Sequence, residues 1–230
     1  MKLAFITDIH EDYGALSLIL KNIDNKFNVD QVLCLGDIVG FNKQYNNHYK
    51  KERSAEDCIK NLIYSNTISI LGNHDAHFLN INEKLDNSNT YDYNDEEIKL
   101  STKSLDYLKK CPEKFIIKNQ LLITHFLYPN NVGRYKVNNN HIELIKSHFK
   151  KMIENKVNFS FIGHLHTPTL QLITNKKAYE LEEGKVIKLN PQELNIINCP
   201  PVSRDNNRKT NITFFDTINK ELYWVKLEVI

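Results

Sequence analysis

The sequence predicts an α/β protein, and three observations carry that expectation. Unbroken apolar runs of strand type occur at residues 2–7, 32–35, 67–71, 121–124 and 159–162, each closing on a residue type that binds metals. Segments with apolar residues at helical spacing lie between them. After His166 the pattern changes to short strand-like runs separated by polar turns.

Taken in order, residues 2–7 read as a buried strand, because the apolar residues run without alternation. The run is too short for a signal peptide, and Asp8 interrupts it. After a polar turn over 8–12, Leu16, Ile19, Leu20 and Ile23 predict a helix near 13–26. Val32 to Leu35 form the next strand, completing a βαβ opening. Residues 40–51 read as a polar and aromatic loop over the site. A helix follows near 54–64, with Ala55, Cys58, Ile59, Leu62 and Ile63 inward, and then a strand over 67–71. Residues 78–95 read as an irregular insertion. A helix is expected over 96–110, ended by Pro112. The stretch 114–124 reads as a hairpin turning at Asn119-Gln120. A loop over 126–140 leads to a helix near 141–154 and a strand at 159–162. The later runs, at 170–173, 185–189, 194–197, 212–215 and 222–229, predict an antiparallel meander forming a second sheet. No linker or internal repeat interrupts the chain, so residues 1–230 are expected to form a single domain.

Composition narrows the class. The 41% hydrophobic and 25% charged residues are those of a soluble globular protein. No apolar run approaches the ~18 residues of a membrane helix. Cys34, Cys58, Cys111 and Cys199 lie far apart without paired spacing, which fits reduced thiols and a cytoplasmic location. A formal charge of +2 gives no whole-protein field for nucleic acid. Lys and Asn are so abundant that single ones carry little signal.

The strand ends supply Asp8, His10, Asp37, Asn73, His125, His164 and His166. Imidazole, carboxylate and amide oxygen are the ligands of borderline divalent metals. In Asp8-Ile9-His10 and His164-Leu165-His166, residues two apart point the same way, so both members of each pair can face one cavity. Two metals roughly 3.5–4 Å apart can share a carboxylate and clamp a phosphate oxygen. Asp37 is the candidate bridge, having two oxygens and a charge.

The ordered motifs are Asp8-Ile9-His10, Gly36-Asp37-Ile38-Val39-Gly40, Gly72-Asn73-His74-Asp75, Thr124-His125 and Gly163-His164-Leu165-His166. This set resembles the calcineurin-like metallophosphoesterase superfamily, from Lys2 to about Asp216. The resemblance implies a four-layer α-β-β-α sandwich with two packed mixed β-sheets. It implies one metal held by Asp8, His10, Asp37 and His166, and a second held by Asp37, Asn73, His125 and His164. Mn²⁺ is the first expectation, with Fe, Zn, Ni or Co as alternatives. It further implies that His74 touches the substrate phosphate and protonates the leaving group, with Asp75 orienting its ring. A metal-bridging hydroxide would attack a phosphodiester or phosphomonoester of a small, nucleotide-type substrate.

Within the superfamily, Gly36 to Asn42, Leu105 to Pro112 and Asn198 to Asp205 resemble the small bacterial and archaeal phosphodiesterase branch. Pro200-Pro201 stand where that branch has Gly-Ser, and Phe126 follows His125 where Gly is usual. The protein Ser/Thr phosphatase branch fits less well. It has an Arg after Gly-Asp and a Glu after Gly-Asn-His, where this chain has Gly40-Phe41-Asn42 and Asp75. Arg134 and Arg204 are candidate phosphate contacts, because Arg is scarce and each follows a strand. Tyr45, Tyr49 and Phe41 are candidate base-stacking residues. His48, His77, His141 and His148 match no motif and read as surface residues. Two other readings remain: a non-catalytic scaffold on this fold, and a nuclease acting on short oligonucleotides or RNA ends. The first is opposed by the complete ligand set, the second by the balanced charge.

Overall fold

The computed structural model describes residues 1–40, 53–81, 98–118, 120–133, 141–204 and 208–229. Expectations for residues 41–52, 82–97, 119, 134–140, 205–207 and 230 lie outside them, including those for Phe41, Tyr45, His48, Tyr49 and Arg134.

Strand β1 (Lys2–Ile6) leads to helix α1 (Tyr13–Lys26), whose N-cap is Asp12, with a side chain accepting from the Ala15 amide. Strand β2 (Gln31–Cys34) pairs parallel to β1. Helix α2 (Ala55–Tyr64) is capped by Ser54 and followed by strand β3 (Ile68–Ser69), parallel to β2. The short helix α3 (Asn73–Phe78) starts on the ligand motif itself. Helix α4 (Thr102–Lys109) begins later than the apolar stripe suggests, because Ser101 caps it and residues 98–100 precede it outside the helix. Strands β4 (Lys114–Ile117) and β5 (Leu121–Thr124) form the expected hairpin, with Ile117 opposite Leu121. Helix α5 (His141–Glu154) and strand β6 (Phe159–Ile162) match the sequence reading. Then come β7 (Gln171–Thr174), β8 (Ala178–Glu180), β9 (Ile187–Lys188), β10 (Asn195–Asn198), β11 (Lys209–Asp216) and β12 (Glu221–Glu228). The sequence showed no strand at β8, whose residues are all exposed.

The strands form two mixed sheets of six, in the orders β3-β2-β1-β11-β12-β9 and β4-β5-β6-β10-β7-β8. This corrects one expectation. The β-rich second half does not make a second sheet by itself. Its last strands, β11 and β12, extend the sheet begun by β1, while β7, β8 and β10 extend the one begun by β4 and β5.

Side-chain alternation builds four layers. Leu3 and Phe5 of β1 face Leu121, Ile123, Phe159 and Phe161 of the other sheet, with Phe215, Leu222 and Trp224 completing the core between sheets. The Phe5 and Phe161 rings stack with centroids 3.8 Å apart. Truncating either to Ala would cost about 3–5 kcal/mol. Ala4 and Ile6 point the other way, into a core with Leu16 and Ile19 of α1, Ile59 and Leu62 of α2 and Leu108 of α4. Leu122, Ile162 and Ile196 face Met152 of α5 on the outer side of the second sheet. No helix among the described residues is long and apolar enough to cross a membrane.

Candidate metal centre

The strands β1, β2, β3, β5 and β6 end at one place, where an α/β sheet usually binds its ligand. Asp8 and His10 follow β1, Asp37 follows β2, and Asn73 and His74 open α3 after β3. His125 follows β5; His164 and His166 follow β6. All seven predicted ligands are brought together. The first four come from one sheet and the last three from the other.

The backbone turns sharply to aim them. Asp8 (φ 52°), His10 (φ 45°), Asp37 (φ 54°), His164 (φ 70°) and His166 (φ 49°) all occupy the left-handed region. Each such non-glycine residue costs on the order of 1–2 kcal/mol, so the surroundings must hold it. The Asp8 amide donates to the Gly36 carbonyl (3.0 Å) and the His10 amide to the Asp37 carbonyl (2.9 Å). The Ser203 amide donates to the Asp8 carbonyl (3.0 Å). Two glycines are dictated by close approach. A Cβ on Gly72 would fall on the Asp37 carboxylate. Gly133 has φ +80°, and a Cβ there would lie 2.7 Å from the His164 ring.

The hydrogen bonds behind the ligands fix which atoms face inward. His10 Nδ1 lies 3.0 Å from the Gly40 carbonyl and His125 Nδ1 2.7 Å from that of Leu35. A carbonyl only accepts, so each Nδ1 carries a proton and each Nε2 is the atom turned to the cavity, the orientation of a metal-ligating histidine. Asp8 Oδ2 accepts from Thr7 Oγ1 (2.8 Å) and the His164 amide (3.0 Å). Asp8 Oδ1 is buried without a well-aligned hydrogen bond; its nearest neighbour is His166 Nε2 at 3.2 Å. Asp37 Oδ1 accepts from the His74 amide (2.9 Å), and Oδ2 lies 3.3 Å from His125 Nε2 and 3.8 Å from His10 Nε2.

Two groups of inward atoms result: Asp8, His10, Asp37 and His166, and Asp37, His125 and His164, each within a span of 4.8 Å. Asp37 belongs to both. Asn73 Oδ1 completes the second, 3.1 Å from His125 Nε2 and 2.9 Å from His164 Nδ1. His10 Nε2 and His166 Nε2 face each other at 3.0 Å. Two imidazole nitrogens and a carboxylate oxygen converging at such spacing form a donor set that fits a metal.

The electrostatics agree. Burial by itself would raise the carboxyls of Asp8 and Asp37, but the surrounding histidines hold both well below the usual range. Burial by itself would lower His125, but Asp37 and Asp8 push it up to about 9; His166 is raised the same way by Asp8. Burial lowers His10 to about 3, His164 to about 4, and His74. The two buried carboxylates thus draw positive charge into the site.

The structure corrects two expected catalytic or binding roles. Asp75 does not orient the His74 ring. Its Oδ1 accepts from the Ile38 and Val39 amides (2.9 and 3.0 Å) and its Oδ2 from the Gly72 amide (3.0 Å), so it ties the loop after β2 to the start of α3. Burial and the nearby Asp37 push its carboxyl up to about 7. Arg204 does not reach solvent. It is 1% exposed, and its Nη2 and Nε fork onto Asp12 at 2.7 and 2.9 Å. Breaking that pair would cost about 3–5 kcal/mol. His148 is not a surface residue either; it is buried between the Tyr128 amide and Ser160 Oγ, 2.8 Å from each. His74 does stand at the site, its ring edge-on to His10 with centroids 4.7 Å apart. Arg53, Glu11 and Asp12 pack behind His10 and went unnoticed in the sequence. The one available signal was Asp12, placed as an N-cap before the apolar stripe of α1.

Fold and ligand set define a class, proteins that hold metal ions at converging strand ends between two sheets. Residues 1–168 match the family described as calcineurin-like phosphoesterase, and the chain belongs to that family. It is 28% identical over 231 residues to an uncharacterized protein of Methanocaldococcus jannaschii, covering 98% of this chain and 87% of the relative. Among solved structures, a metallophosphoesterase from Sphaerobacter thermophilus superposes with a TM-score of 0.75 at 22% identity, over 100% of this chain and 89% of that one. A novel archaeal phosphodiesterase superposes with a TM-score of 0.52 at 16% identity, over 99% of this chain and 100% of that one. Family and residue cluster together support a metal-dependent phosphoesterase.

Proposed function

We propose that the protein is a dinuclear phosphoesterase that hydrolyses a small, nucleotide-type phosphodiester or phosphomonoester. The observation that carries this reading is Asp37, whose carboxylate belongs to both ligand groups. Asp8, His10, Asp37 and His166 would hold one divalent cation, and Asp37, Asn73, His125 and His164 the other. Mn²⁺ is the first candidate, because the set is all nitrogen and oxygen. When bound, such a pair neutralises phosphoryl oxygens and acidifies a water for in-line attack.

The protein's own groups do the rest. The amide of His74 fixes one oxygen of Asp37, which leaves the other turned to the cavity. The His74 ring stands beside His10 and would touch the phosphate and protonate the departing oxygen. Asp75 keeps Gly72 and the loop after β2 in register, so that His74 and Asp37 share one frame. The resemblance to an archaeal phosphodiesterase in fold supports a diester as the first substrate to try.

The test is a panel with added Mn²⁺ comparing a phosphomonoester, a phosphodiester, cyclic nucleotides and dinucleoside polyphosphates, run beside Asp37→Asn and metal analysis of the purified protein. The expected outcome is Mn²⁺-dependent turnover of at least one class and a loss of about 10³-fold or more in the variant. Turnover in Asp37→Asn close to that of the unaltered protein would sink the reading.

A further inference from the structure

The His10–Glu11–Asp12 turn carries more constraint than its own hydrogen bonds explain. His10 (φ 45°) and Glu11 (φ 65°) are consecutive left-handed residues, a conformation costing on the order of 1–3 kcal/mol at each. The amide side of the turn is tied to the loop after β2, through His10 N to the Asp37 carbonyl and Glu11 N to the Ile38 carbonyl, both 2.9 Å. The carbonyl side is tied elsewhere. Arg53 Nη1 donates to the His10 carbonyl, and the Ser54 amide donates to the Glu11 carbonyl at 2.9 Å. Arg53 Nη2 also reaches Ser203 Oγ at 3.4 Å, and the Ser203 amide holds the Asp8 carbonyl.

The Arg53 side chain is only 3% exposed. A guanidinium so deep is held by charge: Asp12 Oδ2 lies 3.8 Å from Nη2, and Arg204 forks onto the same Asp12. Glu11 works from the other side, its Oε1 accepting the Gly40 amide at 3.0 Å, while the Gly40 carbonyl receives His10 Nδ1. Gly40 and Arg53 flank residues 41–52 in the chain, and both stand on this one turn.

We propose that Arg53 is a positioning residue that sets the cation affinity of the Asp8–His10–Asp37–His166 group by fixing the backbone of His10 and, through Ser203, of Asp8. The inference rests on the metal-site reading above and goes beyond it by assigning this role to a buried side chain that touches no cation. Outer supports of metal ligands typically change affinity about 10–100-fold when removed. The bonds described for Arg53 run to His10, Ser203 and Asp12, on the side of the first group, so the second group should keep its affinity.

The experiment is titration of chelator-stripped protein with Mn²⁺, resolved into two sites, for the unaltered protein, Arg53→Gln, Arg53→Lys and a control, Leu108→Ala. Leu108 is a buried residue of α4 that takes no part in the hydrogen bonds of this turn, so its truncation serves as a control for lost stability alone. The expected result is a Kd raised about 10–100-fold at one site in Arg53→Gln, with the other site unchanged. Arg53→Lys should lose less, since it keeps the charge beside Asp12 but not the fork. If Arg53→Gln fails to fold, Arg53→Lys carries the test, with a one-site loss still expected. Unchanged affinity at both sites, equal weakening of both, or a loss matched by Leu108→Ala would overturn the inference while leaving the metal centre standing. Unaltered protein that takes up no Mn²⁺ would remove the metal reading itself, and this inference with it.

Discussion

Acidification should loosen the loop that carries His125, through His148. Its Nδ1 accepts the Tyr128 amide, so the ring is neutral with its proton on Nε2, directed at Ser160 Oγ. Protonating Nδ1 would set two donors against each other in a buried site, and burial accordingly lowers the ring from 6.5 to about 4. The sign follows from proton counting. Below pH 6.5 the unfolded chain binds a proton at this residue that the folded chain refuses, so stability falls as pH falls and keeps falling until about pH 4. The gap of roughly 2.5 pKa units, at 1.36 kcal/mol each, comes to about 3 kcal/mol. The assay is urea unfolding followed by circular dichroism, in chelator, at intervals from pH 7.5 to pH 4, for the unaltered protein and His148→Gln. Contributions from His10, His125, His164 and His166 are common to both and cancel in the difference. The advantage of the unaltered protein should shrink by about 3 kcal/mol between pH 7 and pH 4. A difference that stays flat across that range would refute the assignment of a neutral, buried His148.

Two further outcomes are expected. Gly133→Ala combines a left-handed backbone with a Cβ 2.7 Å from the His164 ring; it should cost about 1 kcal/mol or more in stability and weaken one Mn²⁺ site in a two-site titration, leaving the other intact. Saturating Mn²⁺ at about 100 times its Kd should add about 2.7 kcal/mol, read as a rise of about 5–10 °C in melting temperature for a chain of this size and reversed by chelator; a melting temperature indifferent to Mn²⁺ would contradict a folded-state metal site.

The ligand set was legible because it obeys local rules. A buried parallel strand shows as an unbroken apolar run, and the residue at its end is named by adjacency, as with Cys34-Leu35-Gly36-Asp37. What stayed hidden depends on partners far away in the chain. Nothing near Arg204 announces that its guanidinium will be buried against Asp12, because the two are separated by 192 positions. Asp75 sits beside His74 in sequence, yet its oxygens turn to backbone amides of the β2 loop. His148 lies on a helix of otherwise mixed polarity, and only the fold reveals the Tyr128 amide above it. The assignment of β11 and β12 to the first sheet was likewise invisible, since alternation shows that a strand has two faces but not which neighbour it pairs with. Helix α4 was overextended because Ile98 continues the apolar stripe although the cap lies at Ser101.

The division of the ligands between the sheets has a mechanical consequence. Asp8, His10, Asp37 and Asn73 hang from one sheet, and His125, His164 and His166 from the other. Each cation would therefore take ligands from both, and would act as a rivet through the sandwich. Like a cross-link that closes a long loop, it would resist the sliding or parting of two layers otherwise joined by apolar contact and by hydrogen bonds such as that of His125 Nδ1 to the Leu35 carbonyl. Stripping the ions would leave the Phe5–Phe161 stack and its neighbours to hold the layers in register. The cofactor would then be part of the architecture as well as of the chemistry, and the protein's stiffness would rise and fall with its supply of metal.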